Sequence, residues 1–278
     1  MALEPLELNG KVAWVTGSSR GIGRVIASFL ASQGADVAIH GTTPFSTQAF
    51  GEGSSLESVA KEIANTTEKI VFPTCGDLTE EATVGKIHSQ IQEKLGSLDI
   101  LVNCAGGDIG TSGTSGPMAG KPANNDPVNI DIRDIRSVID RNLMTCILCS
   151  RVVAPGMMER RTGRIVSIGS VAGLKGGSNS AIYATAKAAV HEYTRCLADM
   201  LRPFNVTANV IAPGDIETPR FLASRVVDES MRKTDDTLKR YGQSIEVARA
   251  VGFLVSNENT YITGQVLRVD GGKQIWAG

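Results

Sequence analysis

The sequence predicts a doubly wound α/β fold, with a parallel sheet covered by helices on both faces. Three observations carry that prediction. Short, β-branched apolar runs alternate with longer segments of helical period along the chain, the pattern that builds βαβ units. The runs are apolar nearly throughout rather than at every second position, as strands buried on both sides must be. The first run passes straight into a glycine-rich turn, "TGSSRGIG" (16–23), and folds of this kind bind their ligands at the carboxyl ends of the strands.

Taken in order, "KVAWVT" (11–16) is the first strand and "RVIASFLASQG" the helix after the turn. "ADVAIH" (35–40) is the second strand, "SLESVAKEIA" a helix with its charges outward, and "KIVFPTC" a third strand ending near Asp77. "EEATVGKIHSQIQEKLG" has the amphipathic period of a helix, and "LDILVNCAG" is strand four. A long helix is expected over 131–160, bent near Pro155. "GRIVSIGS" is strand five, 180–202 a helix, "NVTANVIAPG" strand six, "SIEVARAVGFLVS" the last helix and "QVLRVDGG" the last strand. Two segments interrupt the rhythm. Residues 107–130 hold five glycines and three prolines and are expected to lack regular structure. Residues 214–240 are polar and charged. Both are expected as substrate-side loops of a single domain spanning 1–278, since neither repeats nor a linker interrupt the pattern.

Composition excludes several functions. The chain has 278 residues, 42% hydrophobic and 21% charged, with a net charge of −1 and no basic run. Nothing in that balance suits nucleic acid or an acidic membrane surface. The start, "MALEPLELNGKVAWV", lacks a basic leader, and no stretch approaches the ~18 apolar residues of a membrane span; a cytoplasmic location is expected. Cys146 and Cys149 form a C-x-x-C in the middle of a helical segment with no second ligand pair, so they are read as core thiols. No metal is expected. His40, His88 and His191 stand apart and are read as surface or internally satisfied side chains.

In the glycine turn, Gly17, Gly21 and Gly23 are spaced G-x-x-x-G-x-G rather than G-x-G-x-x-G. The physical demand is the same: glycine lets the backbone turn sharply and lets a pyrophosphate reach the N–H groups at a helix start. An acid ending strand two would mark an NAD ribose, but "AIHGTTP" (38–44) contains none. Arg20, with Thr42 and Thr43, could instead meet a 2′-phosphate, which favours NADP(H) over NAD(H).

The helix "SAIYATAKAAV" (180–190) places Tyr183 and Lys187 four residues apart, on one face. A free phenol ionises near pH 10 and is a slow proton donor or acceptor at neutrality. A fixed neighbouring cation favours its ionised form. Ser170 ends strand five thirteen residues before Tyr183, Asn142 lies in the preceding helix, and Pro213 and Gly214 end strand six. Polar groups aimed at one crevice are the pattern of a site.

With these pieces, the chain resembles the short-chain dehydrogenase/reductase family over nearly its full length. The matching motifs are "TGSSRGIG", "GDL" with Asp77, "NCAG" (103–106), "RNL" with Asn142, "GS" with Ser170, "YATAK" (183–187), "PGDIET" (213–218) and "TGQVLRVDGG" (263–272). The resemblance implies a seven-stranded Rossmann sheet and a dimer or tetramer. It implies that Tyr183 protonates a carbonyl oxygen, that Lys187 assists it and binds the nicotinamide ribose, and that Ser170 holds the substrate oxygen. Asn142 would hold a water in a relay behind Lys187. The turn (Gly17, Ser19, Arg20, Gly21, Ile22, Gly23) would face the pyrophosphate and ribose, with Thr42. Asp77 and Leu78 would lie near the adenine, and Asn103, Ala105 and Gly106 would border the cofactor cleft. Pro213, Gly214 and Ile216 would line it, and Thr218 would reach the carboxamide.

The implied activity is that of an NADP(H)-dependent carbonyl reductase similar to 3-oxoacyl-ACP reductases, acting on a small-molecule carbonyl or alcohol. An NAD-dependent alcohol, sugar or steroid dehydrogenase of the same fold is the alternative, and a non-catalytic NADPH-binding regulator the more distant one. Cys104 stands where the family commonly has asparagine, the 107–130 loop is long, and "RYGQSIEVA" lacks a proline common before the last helix.

Overall fold

The computed structural model describes residues 7–232 and 237–275. Its sheet grows from β1 (Val12–Val15), which is followed by α1 (Gly21–Ser32), β2 (Asp36–Gly41), α2 (Leu56–Thr67), β3 (Val71–Cys75), α3 (Glu81–Leu95) and β4 (Ile100–Asn103). A single turn, α4 (Pro117–Gly120), lies in the long loop before α5 (Ile132–Ile139) and α6 (Thr145–Arg160). Then come β5 (Gly163–Ile168), α7 (Ala181–Leu201), β6 (Val206–Pro213), β7 (Ile216–Glu217), α8 (Pro219–Ala223), β8 (Gly242–Gln243), α9 (Ser244–Val255) and β9 (Val266–Val269).

Seven strands form one sheet in the order β3-β2-β1-β4-β5-β6-β9, every pairing parallel; β7 and β8 make a separate small ladder. The expected doubly wound Rossmann sheet of about seven strands is therefore what forms. Side chains alternate between two cores, as the two-residue period of a strand requires. Ala13 and Val15 of β1 face the core shared with α1, α2 and α9, whereas Val12 and Trp14 face the core shared with α3, α6 and α7.

Pro73 sits within β3 without breaking the sheet, because β3 is an outer strand. The carbonyl of Ile70 and the N–H of Gly76 bond to β2. Pro73, at odd offset from both, therefore turns its missing N–H toward the free edge.

The helix expected over 131–160 is interrupted, but not where Pro155 suggested. Pro155 lies inside α6, and the irregularity is a π turn at Asp140–Met144 joining α5 to α6. The 107–130 segment is irregular apart from the α4 turn and a brief 3-10 turn at Gly113–Ser115. The 214–240 segment carries β7, α8 and a 3-10 turn at Glu229–Arg232.

Candidate active site

Strand order reverses between β1 and β4, and a cleft of about 860 Å³ opens over their carboxyl ends. That size lies within the ~300–1,000 Å³ range of small-molecule sites. The cleft is walled by the glycine turn, the segments after β2, β4 and β5, the start of α7, and the chain leaving β6.

Gly17 makes the reversal possible. Its φ is +64°, and a β-carbon there would sit 2.7 Å from Cα of Ala105, so only glycine lets the two loops close up. Its N–H donates to Nδ1 of His40 at 3.2 Å, and Nε2 of the same ring meets the Gly76 carbonyl at 3.0 Å. Those partners require a neutral ring with its proton on Nε2. Burial lowers the pKa of His40 to about 4, against weaker opposing effects of the Gly76 carbonyl and Asp77. His40, read as isolated in the sequence, thus braces the turn.

Sequence reasoning missed Glu52. After β2 the chain runs through a 3-10 turn at Ser46–Phe50 and returns to the start of α1. There Oε2 of Glu52 accepts the N–H of Gly21 at 2.7 Å, while Oε1 is buried without a donor. Arg24 fixes the arrangement by donating to the Glu52 backbone carbonyl. Arg20 donates to the Ser46 carbonyl and lies over the Phe50 ring, 5.4 Å from its centre. Burial lowers its pKa, opposed by the charge of Glu52. An acid does stand near the end of strand two, then, but eleven residues on in sequence from Gly41. The Gly21 N–H already holds an anionic oxygen, so the amino end of α1 suits a phosphate-bearing cofactor. Ser19, Ile22, Gly23, Thr42, Asp77 and Leu78 line the same stretch of cleft.

At the other end, α7 presents Tyr183 and Lys187 together. Nζ of Lys187 is 5.8 Å from the Tyr183 ring centre and donates to the Ile168 carbonyl at 2.7 Å, with the side chain 5% exposed. Ser170 follows β5, and its Oγ accepts the Ala172 N–H at 3.1 Å, which leaves the hydroxyl proton free to donate. The Ser170 N–H rests on Nε2 of His191 at 3.3 Å. That ring too is held neutral: burial, then the charges of Lys187 and Arg195, lower its pKa to about 4.

Asn142 reaches the site through the π turn. Its Nδ2 donates to the carbonyls of Gly107 (2.9 Å) and Val138 (2.8 Å), and its Oδ1 accepts the Gly107 N–H at 2.9 Å. Both amide hydrogens are therefore committed to backbone. The side chain clamps Gly107 and makes no direct hydrogen bond to Lys187 among the described residues. Gly106 must be glycine for this contact: its φ is +148°, and a β-carbon would lie 2.5 Å from Oδ1 of Asn142. Asn103 departs from expectation. It ends β4 with its side chain on the α6 side, donating to Ser150 at 3.0 Å, and does not line the cleft.

Ala105, Gly106, Pro213, Gly214, Ile216 and Thr218 line the cleft as expected. Thr218 also caps α8, its Oγ1 accepting the Phe221 N–H at 3.1 Å. Phe221 is buried edge-on against Tyr241 with Arg225 over its face at 3.8 Å. The long loop is tied to α7 through Asp108, whose Oδ2 accepts from Asn125 (2.8 Å) and from Ser180 (2.7 Å). Cys146 and Cys149 are free and buried in α6, and burial raises both thiols above their ordinary range.

A dinucleotide-type fold with a tyrosine, a lysine and a serine converging on its cleft defines a class of nicotinamide-dependent oxidoreductases. The family profile described as Enoyl-(Acyl carrier protein) reductase matches residues 17–274. Cyclohexanol dehydrogenase of a Rhodococcus species is 37% identical over 276 residues, covering 96% of this chain and 97% of that protein. The 3-oxoacyl-[acyl-carrier-protein] reductase FabG of Aquifex aeolicus is 36% identical over 270 residues, covering 96% and 98%. A solved 7α-hydroxysteroid dehydrogenase, complexed with NADH and 7-oxo glycochenodeoxycholic acid, superposes with a TM-score of 0.81 at 30% identity, covering 96% of each chain. The chain belongs to the short-chain dehydrogenase/reductase family. It is an oxidoreductase that interconverts a carbonyl group and an alcohol with a nicotinamide cofactor.

Proposed function

We propose that Tyr183 is the acid–base residue of this enzyme, working with Ser170 and Lys187 on a small-molecule carbonyl or secondary alcohol. The observation that carries the reading is the convergence of these three side chains with the glycine turn in one cleft. A bound nicotinamide would supply or accept the hydride. The residues of this chain then do the rest. Ser170 donates its free hydroxyl proton to the substrate oxygen, and Tyr183 delivers a proton to that oxygen in reduction or takes it in oxidation. Lys187, pinned to β5, keeps a positive charge beside the phenol. Asn142 acts as a positioning residue by holding Gly107 at the cleft wall.

For the cofactor, Arg20 with Thr42 and Thr43 supports NADP(H), because a guanidinium suits a 2′-phosphate. Glu52 supports the second reading, NAD(H), since its unpaired oxygen would accept from ribose hydroxyls and repel a phosphate. The substrate is read as a ketone like those of the 3-oxoacyl reductases and the cyclic-alcohol dehydrogenase among its relatives. We read residues 1–278 as one domain, active as a homo-oligomer in the cytoplasm. No helix among the described residues is long and apolar enough to cross a membrane.

The test is NAD(P)H consumption with cyclohexanone and with a 3-oxoacyl thioester. Wild type turns over at least one, while Tyr183→Phe binds cofactor without turnover. Undiminished turnover by that variant would overturn the assignment.

A further inference from the structure

The substrate side of the cleft carries more positive charge than proton transfer at Tyr183 requires. Arg220, in α8, donates from Nη2 to the backbone carbonyl of Asp108 at 2.8 Å and approaches that of Ala119 at 3.5 Å. Its Nε is buried with no acceptor, and Nη1 lies 3.4 Å from where a β-carbon on Gly107 would stand. Among the described residues it forms no ion pair: Asp108 is the carboxylate whose charge reaches it, while Asp215 is held by Arg225 at 2.9 Å and by Lys273. Lys121, at the end of the α4 turn, lines the same cleft, and its ammonium has neither ion pair nor hydrogen bond among the described residues. Burial, and then the neighbouring charge of Arg225, lowers its pKa. Lys121, Arg220, Arg225 and Lys273 thus cluster about two carboxylates, Asp108 and Asp215, so that local cations outnumber acids.

A half-buried guanidinium with an idle donor is costly until an acceptor arrives, and its planar fork matches a carboxylate. We propose that the substrate is an oxo acid or hydroxy acid whose carboxylate is held by Arg220 and Lys121 while its carbonyl or hydroxyl meets Ser170 and Tyr183. The proposal rests on the oxidoreductase reading and narrows its substrate class. Asp108 selects the kind of anion. It is 5% exposed, close enough to add its negative charge to the surroundings of both cations, and its Oδ1 is buried without a donor. A singly charged carboxylate is tolerated beside it better than a doubly charged phosphate. A further hydroxyl on the substrate would fill the vacant lone pairs of Oδ1.

The experiment compares 3-oxocyclohexane-1-carboxylate with its methyl ester as substrates, reading the acid-to-ester ratio of kcat/KM in wild type, Arg220→Gln and Lys121→Gln. Independently of turnover, ligand-observed NMR titration measures binding of cyclohexanecarboxylate and its methyl ester to protein saturated with oxidised cofactor. Wild type should favour the acid by roughly tenfold or more, the scale of a charge-assisted hydrogen bond, and Arg220→Gln should remove most of that preference. Lys121→Gln should lower it by about threefold, as a more exposed charge would. Equal or better use of the ester by wild type overturns the proposal. So does an Arg220→Gln protein whose ratio is unchanged but whose cofactor Kd rises, since Arg220 would then hold a cofactor phosphate. If Arg220→Gln fails to fold, the wild-type preference and the Lys121→Gln ratio decide. If no carbonyl compound is turned over, the oxidoreductase reading fails, and the NMR titration still tests the anion site.

Discussion

Lys187 is anchored to the Ile168 carbonyl at 2.7 Å while its ammonium lies 5.8 Å from the Tyr183 ring centre. The anchor comes from β5, the strand that also delivers Ser170, so sheet and helix set the spacing of all three groups. Tyr183→Phe keeps the ring and loses the proton. We expect kcat to fall by ~10²–10⁴-fold, with the NADPH Kd, followed by fluorescence, changed by less than about threefold because the ring stays in place. A large loss of cofactor binding would instead give Tyr183 a mainly binding role.

Asn142→Ala removes the clamp on Gly107. The Gly107 N–H loses its acceptor and the Val138 carbonyl loses a donor, while the Gly107 carbonyl keeps the Ile109 N–H, a cost of about 1–3 kcal/mol. For a chain of this length the melting temperature should drop by roughly 2–10 °C, and kcat should fall with it as the cleft wall loosens. Calorimetry beside steady-state kinetics checks both. A normal melting temperature with reduced kcat would point to a direct part in proton transfer.

His40 makes stability depend on pH. Its pKa is lowered from 6.5 to about 4 in the folded chain, so the unfolded chain takes up the proton first as the medium is acidified. The contribution is fully present above pH 6.5 and is lost as pH falls toward 4, amounting to ~3 kcal/mol at most. His191, lowered to about 4 as well, acts in the same direction. Urea unfolding at pH 7 and pH 4.5 should show a smaller difference for His40→Gln than for wild type. Identical pH dependence in the two proteins would contradict the assignment. In the folded chain Nδ1 is protonated only near pH 4, which removes the acceptor of the Gly17 N–H, so cofactor affinity should weaken only as the pH approaches 4.

Under the proposed cofactor readings, Arg20 and Glu52 favour different nucleotides. Arg20→Ala should weaken NADPH binding by about tenfold or more and NADH binding little, the loss of one charge-assisted contact. Glu52→Gln should tighten NADPH binding by about threefold or more, by removing a like charge. Calorimetric titration of both cofactors reads these directly. If NADPH binding survives the loss of Arg20, that side chain does not meet the 2′-phosphate.

What the sequence revealed of this site follows physical distance along the chain. Tyr183 and Lys187 share one turn of α7, so helical period alone brings them together. The glycines lie in a single strand-to-helix turn, where the residue type reports the backbone's need. Glu52, Arg220 and Asp108 come from loops whose paths no periodicity encodes, and they meet the cleft only after the chain folds back. Asn103 was misplaced because the last residue of a strand can face either core, and here Ser150 on α6 claims it. The π turn at Asp140–Met144 left no mark either, since its residues suit an α-helix equally; Pro155 was the visible disturbance, and it stays within α6.

Pro73 bears on how the molecule associates. The outermost strand lacks one main-chain donor on the side facing solvent, so a neighbouring chain cannot zip onto that border in an unbroken ladder. Edge-to-edge pairing along that border is disfavoured. The opposite border of the sheet, formed by β9, carries no such interruption.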